Sequence, residues 1–188
     1  AYTICIKIEQ LVQQPYSSLG AAVTSFSGQN MGAGDIARVK KGMHRGTLFA
    51  LIFSLTMLPV AYIFGENVIG FFIDGSANPE TIKIGAMALK ITSLFYFPLG
   101  MIYVPRAVLN GCGDTNFSMI NGISEVACRV IFSQILCRIP SITIFGITFP
   151  ISYWGIWITT GLTWFFTGIV CLIRYKFGKW KTKGIIAR

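Results

Sequence analysis

Long apolar runs alternate with short polar or basic breaks along the whole chain. Five apolar segments stand out, at about residues 2–31, 47–73, 81–109, 117–137 and 151–174. A helix needs ~20 residues to cross a bilayer, and each run reaches that length. The expected fold class is all-α, a polytopic transmembrane bundle of about five membrane-spanning helices over residues 1–174. Residues 175–188 remain as a basic tail. The breaks orient the segments, because loops rich in Lys and Arg stay on the cytoplasmic side. Basic loop 35–45 and the tail are therefore expected to be cytoplasmic. Turn 74–80 carries no Lys or Arg and belongs on the opposite side, with loop 138–150.

The first segment is polar in its first half: Lys7, Glu9, Gln10, Gln13, Gln14, Pro15 and Tyr16. Glu9 and Gln13 are one helical step apart, as are Gln10 and Gln14, so they form one stripe. Pro15 should kink or loosen the helix beside them. A polar stripe in a membrane helix faces a protein interior or a wet cavity. There a carboxylate could attract a cation and, partly desolvated, exchange a proton. The plainer alternative is that Lys7 and Glu9 anchor the helix near the outer interface. Gly32 and Gly34 are expected to let the chain leave this helix and turn.

Pro59 interrupts the second segment, and Tyr96-Phe97-Pro98-Leu99-Gly100 makes a kink in the third. The turn Asn110-Gly111-Cys112-Gly113-Asp114-Thr115 follows, with Asp114 or Thr115 available as a helix cap. It is no nucleotide loop, since no Lys-Ser or Lys-Thr follows and no strand precedes it. Glu125 and Arg129, four apart, can pair on one helix face. Such a pair fits neutralisation between packed helices at least as well as transport. Tyr153, Trp154 and Trp157 fit an aromatic belt at the interface.

Composition supports lipid as the solvent: 53% of residues are hydrophobic and only 12% charged, against about 25% charged in soluble domains. The net charge of +9 lies between apolar runs and at the end of the chain, not in one stripe, so no nucleic acid is expected as a partner. The five cysteines show no metal or disulfide spacing. His44 has no acidic or second His neighbour. No Asp-x-x-Asp occurs, so neither metal-assisted nor nucleophilic enzyme chemistry has its residues. The expectation is no enzyme, no catalytic residue, no metal and no cofactor.

Taken in order, Gly28-Gln29-Asn30-Met31-Gly32-Ala33-Gly34, Arg38, Lys40-Lys41, Arg106, Asn110-Gly111-x-Gly113-Asp114-Thr115 and Gly155-Ile156-Trp157 resemble the C-terminal half of a multidrug and toxic compound extrusion (MATE) transporter. The resemblance covers nearly all of the chain. It implies one of two six-helix bundles around a central cavity, here without its first helix. It further implies a secondary-active antiporter in the plasma membrane that exports cationic or amphipathic compounds in exchange for Na⁺ or H⁺. The expected partners are the lipid bilayer, small-molecule substrates such as organic cations, and an N-terminal bundle. The chain opens on Ala1 inside a helical pattern, so it reads as a fragment, inactive alone. Residues 81–109 hold no Asp or Glu, so coupling is expected to rely on the other half. Glu9 and Glu125 are taken as the membrane-embedded carboxylates. The cavity candidates are Glu9, Gln10, Gln13, Gln14, Tyr16, Glu125 and Arg129. The structural motif is Gly28, Gln29, Asn30, Gly32, Gly34, Gly111, Gly113 and Asp114. The alternative is a flippase of lipid-linked glycans with a more cationic cavity, for which Lys7, Lys90 and Arg129 would speak.

Overall fold

A computed structural model describes residues 2–72, 79–139, 141–144, 147–149 and 151–183. Its elements run α1 (Tyr2–Gly32), α2 (Ile36–Phe71), α3 (Pro79–Ser93), α4 (Tyr96–Gly111), α5 (Thr115–Cys137), β1 (Ile142–Ile144), β2 (Ile147–Phe149), α6 (Ile151–Phe177) and α7 (Trp180–Lys183). The five predicted segments map in order onto α1, α2, α3 with α4, α5 and α6. The strands form one antiparallel hairpin, Ile142 opposite Phe149, within what the sequence suggested was plain loop. Most of turn 74–80 lies outside the described residues.

Among the described residues three helices, α2, α5 and α6, are long and apolar enough to cross a membrane. The α3–α4 pair, bent by 49°, makes a fourth if counted as one span. With 31 residues α1 is long enough, but its polar half keeps it out of that group. The surface is inverted relative to a water-soluble domain. Phe49, Ile52, Leu55 and Ile63 on α2, and Met119, Ile123, Val126 and Val130 on α5, point outward. Ser54, Thr92, Asn121, Thr163 and Thr167 lie inside. Apolar surface of this extent fits hydrocarbon, where every backbone polar group must be satisfied within the helix.

The sequence reading needs correction at three places. Loop 35–45 is not a loop: the chain turns within three residues, and α2 starts at Ile36. Asp35 caps it, its Oδ1 accepting from the Arg38 N–H at 2.9 Å, so the basic run forms the first turns of α2. Pro59 does not end α2, and α1 likewise runs unbroken through Pro15. A proline removes one helix hydrogen bond, which the flanking turns and packed neighbours can carry. The break in the third segment falls at Leu94–Phe95, earlier than predicted. Pro98 stands in the first turn of α4, where an N–H has little use.

The hub is α4, against which α1, α2, α5 and α6 all lie. It buries Leu99, Gly100, Ile102, Val104, Ala107, Val108 and Leu109. Small residues four apart set its closest seam: Gly20, Thr24 and Gly28 of α1 meet Tyr103, Ala107 and Gly111 of α4. A Cβ added to Gly111 would collide with the Thr24 carbonyl oxygen. The Thr24 hydroxyl donates to the Ala107 carbonyl at 3.2 Å. Such small-x-x-x-small stripes let helix backbones approach where no hydrophobic force between helices exists. On the other side of α4 the Phe95 ring, at the break, covers Gly161 of α6, where a Cβ would collide with it.

Candidate functional site

Both glycine motifs build the same turn. Gly34 has φ of 76° and Gly113 of 82°, a region costly for side-chain-bearing residues. The Asp35 N–H reaches back to the Asn30 carbonyl at 2.8 Å, and the Asp114 N–H to the Leu109 carbonyl at 2.8 Å. This is the six-to-one bond of a Schellman cap. Gly28 and Gly111 touch, and the Asn30 side chain donates to the Phe26 carbonyl at 2.7 Å. Gln29 is exposed. Gly32 was expected to matter like Gly34, yet it has no positive φ, and a Cβ there would meet nothing within 4 Å.

The aspartates of the two turns serve different ends. Asp114 is 1% exposed and accepts two bonds from Arg174, 2.8 Å to Nε and 3.1 Å to Nη2. This fork-to-fork pair ties the start of α5 to the end of α6. Burial pushes the neighbouring Cys112 thiol up to about 11.

Glu9, Gln10 and Gln13 line a cavity of about 210 Å³ between α1, α5 and α6, together with Ile6, Arg129, Trp157, Thr160 and Trp164. A second cavity, of about 330 Å³, shares Tyr2, Arg129, Ile156 and Thr160 with it. Arg129 therefore stands where the two meet. Its Nη2 lies 3.6 Å from Glu125 Oε1, the pairing that the spacing predicted. Glu125 is not in either cavity wall and reaches the site through Arg129. The Tyr103 hydroxyl donates to Gln13 Oε1 at 3.4 Å.

Two candidates lie elsewhere. Gln14 is exposed and outside the wall. Tyr16 is 1% exposed in the core, its hydroxyl 2.7 Å from Ser54 Oγ and its ring edge-on to Phe53. It packs α1 to α2 rather than facing the cavity. The carboxylate count also changes, since Glu66 lies inside α2, exposed and away from the cavity.

Sequence reasoning missed the α6 wall. Ile156, Thr160 and Trp164 recur every four residues, and the polar Thr160 in an apolar helix was the available signal. Trp157, which fits an interfacial belt by sequence, is 7% exposed and packs with Cys5, Ile8 and Leu89 instead. The side chain of Tyr153 lies outside the described residues. Of the three cations that would favour a glycan-lipid cavity, only Arg129 lines it. Lys7 is exposed, and Lys90 sits 6.0 Å from the Tyr62 ring centroid.

Comparison with known proteins bears on identity. The MatE family model matches residues 1–135. The probable multidrug resistance protein NorM of Thermotoga maritima is 26% identical over 188 residues, all of this chain and 38% of that protein. The probable multidrug resistance protein YpnP of Bacillus subtilis is 23% identical over 179 residues, 93% of this chain and 36% of its own length. A second Bacillus subtilis protein, the probable multidrug resistance protein YoeA, is 24% identical over 148 residues, 78% of this chain and 31% of that protein. The chain thus spans between 31% and 38% of the length of these relatives. No solved structure matches it significantly. With the family model matching well over half of the residues, the chain belongs to the MatE family, a family of membrane transporters and not of enzymes.

Proposed function

We propose that this chain is part of a secondary-active antiporter that exports cationic or amphipathic drugs and toxic compounds in exchange for Na⁺ or H⁺. One observation carries the reading: the polar stripe of α1 turns Glu9, Gln10 and Gln13 into a cavity walled by Trp157 and Trp164. A carboxylate among aromatic faces suits an organic cation twice over, by direct attraction and by the ring quadrupoles. Arg129 shares the cavity, but its charge is partly met by Glu125, which leaves Glu9 as the carboxylate that greets a cation. The two adjoining cavities, about 210 and 330 Å³, together reach the ~300–1,000 Å³ of small-molecule sites. The other wall would come from a second helical bundle, with alternating access as one bundle rocks against the other. The protein would sit in the plasma membrane with the basic start of α2 and the C-terminal segment in the cytoplasm, as the Lys and Arg distribution favours.

Glu9→Gln tests the reading, because it keeps size and removes charge. In the complete transporter, efflux of a cationic dye should fall by about tenfold, equivalent to ~1.4 kcal/mol, with little change for a neutral substrate. Equal efflux of both by variant and parent would leave Glu9 only an anchoring role.

A further inference from the structure

We propose that the end of the bundle carrying α7 holds a binding site for one anionic phospholipid, with its phosphate on Lys40, Lys176 and Lys181 and an acyl chain along α6. Three elements meet there. Lys40 comes from the start of α2, Lys176 from the end of α6 and Lys181 from α7, and all line one open cavity of about 510 Å³. The rest of its wall is Leu172, Tyr175 and Trp180. Trp180 is fixed: its ring stacks on Tyr175 at 5.2 Å, its Nε1 donates to the Tyr175 carbonyl at 2.6 Å, and none of it is exposed. The cavity thus has an apolar floor and a rim of three cations, of which Lys176 and Lys181 also stand over the Phe177 and Trp180 rings, 5.5 and 5.8 Å from their centroids. None of these lysines takes part in an ion pair among the described residues.

A second feature points to a lipid rather than a soluble anion. Leu172 also belongs to a wholly apolar groove of about 160 Å³, lined by Phe97, Pro98 and Met101 of α4 and by Phe165, Gly168 and Ile169 of α6. Phe165, Gly168, Ile169, Leu172 and Lys176 stand at i, i+3, i+4, i+7 and i+11, so the groove and the cationic rim share one face of α6. From Phe165 to Lys176 this face rises about 16 Å, close to half of the ~30 Å hydrocarbon core. Head and tail of a single lipid leaflet would be met at the right separation. A choline headgroup offsets its own phosphate with a trimethylammonium, so that lipid gains less from the cationic rim than phosphatidylglycerol, whose phosphate charge is unopposed.

The test uses the purified protein in a mild non-ionic detergent, titrated with phosphatidylglycerol or phosphatidylcholine and read by native mass spectrometry. Phosphatidylglycerol should bind at least ~10-fold more tightly than phosphatidylcholine, on the scale of attraction between basic residues and anionic lipid. Replacing the three lysines by Gln (Lys40→Gln, Lys176→Gln, Lys181→Gln) should abolish that preference. Replacement by Arg should keep it, and so should Lys83→Gln on α3. Equal binding of the two lipids, or a preference that survives in the Gln variant, would overturn the proposal. So would loss of the preference in the Arg variant with its helical content intact. Displacement of phosphatidylglycerol by an equal concentration of glycerol 3-phosphate would also overturn it, because the site would then read a soluble phosphate alone.

Discussion

Asp114 could be read in the sequence only as a helix cap, because its partner Arg174 lies 60 residues away. Spacing along one element exposes pairs such as Glu125 and Arg129, but not contacts made by a fold. Arg174→Gln would leave a buried carboxylate without its main counter-charge. A fully buried broken pair costs ~3–5 kcal/mol; with the Arg174 side chain 37% exposed, about 2 kcal/mol is expected. Adding Asp114→Asn should restore much of that loss, which thermal unfolding of the four variants of the cycle would measure. Additive losses would mean that the two residues are not coupled. The cysteines give a second residue-scale expectation. At pH 8 in detergent, exposed Cys137 should be alkylated first. Cys112, buried and with its thiol pushed up to about 11, holds little thiolate at that pH and should react slowly until the pH approaches that value. Rapid modification of Cys112 at pH 8 would contradict its burial. The Glu9, Gln10 and Gln13 stripe was legible because polar residues in an apolar helix announce themselves, whereas Tyr16 misled because a tyrosine serves a cavity and a core equally well.

Among the elements, the five apolar segments overlap α1, α2, α3 with α4, α5 and α6 in order, but their joints fall elsewhere. The start of α2 was hidden by its charge: Arg38, Lys40, Lys41 and Arg45 look like a loop in a membrane protein, yet they are good helix formers behind an aspartate cap. The break between α3 and α4 falls before its proline rather than at it, since Pro98 fits a first helical turn without loss. Nor did the pattern separate the glycines by duty. Gly32→Ala should leave stability unchanged or slightly raised, because it meets open space at the end of α1. Gly111→Ala should cost ~1–3 kcal/mol, the usual price of overpacking, since its Cβ would be driven against the backbone of α1. Folded yield and melting temperature of the two variants provide the check. Equal behaviour would remove the close α1–α4 seam.

For the whole molecule, the apolar exterior, with side chains such as Ser54, Asn121 and Thr163 turned inward among the apolar core, agrees with the family. The orientation in the membrane is tested by labelling. The natural site for a probe in the basic run would be Gly42, but a Cβ there meets the Phe26 ring at 2.7 Å, so exposed Lys41 is preferred. With Cys137→Ser as background, a membrane-impermeant thiol reagent on intact cells should modify Ser141→Cys and spare Lys41→Cys; the reverse pattern would invert the topology. The seat of Phe95 over Gly161 has a mechanical meaning. A ring lodged in a gap left by a missing side chain is a key in a keyway: α6 cannot turn about its own axis without carrying the α3–α4 elbow with it. In the proposed transporter, torque on α6 would then reach the α3–α4 elbow through this contact, so the bundle would turn as one body. Paired spin labels on exposed Met87 and Ile173 should give a single narrow distance that substrate leaves unchanged, whereas a second distance would mean that the key slips.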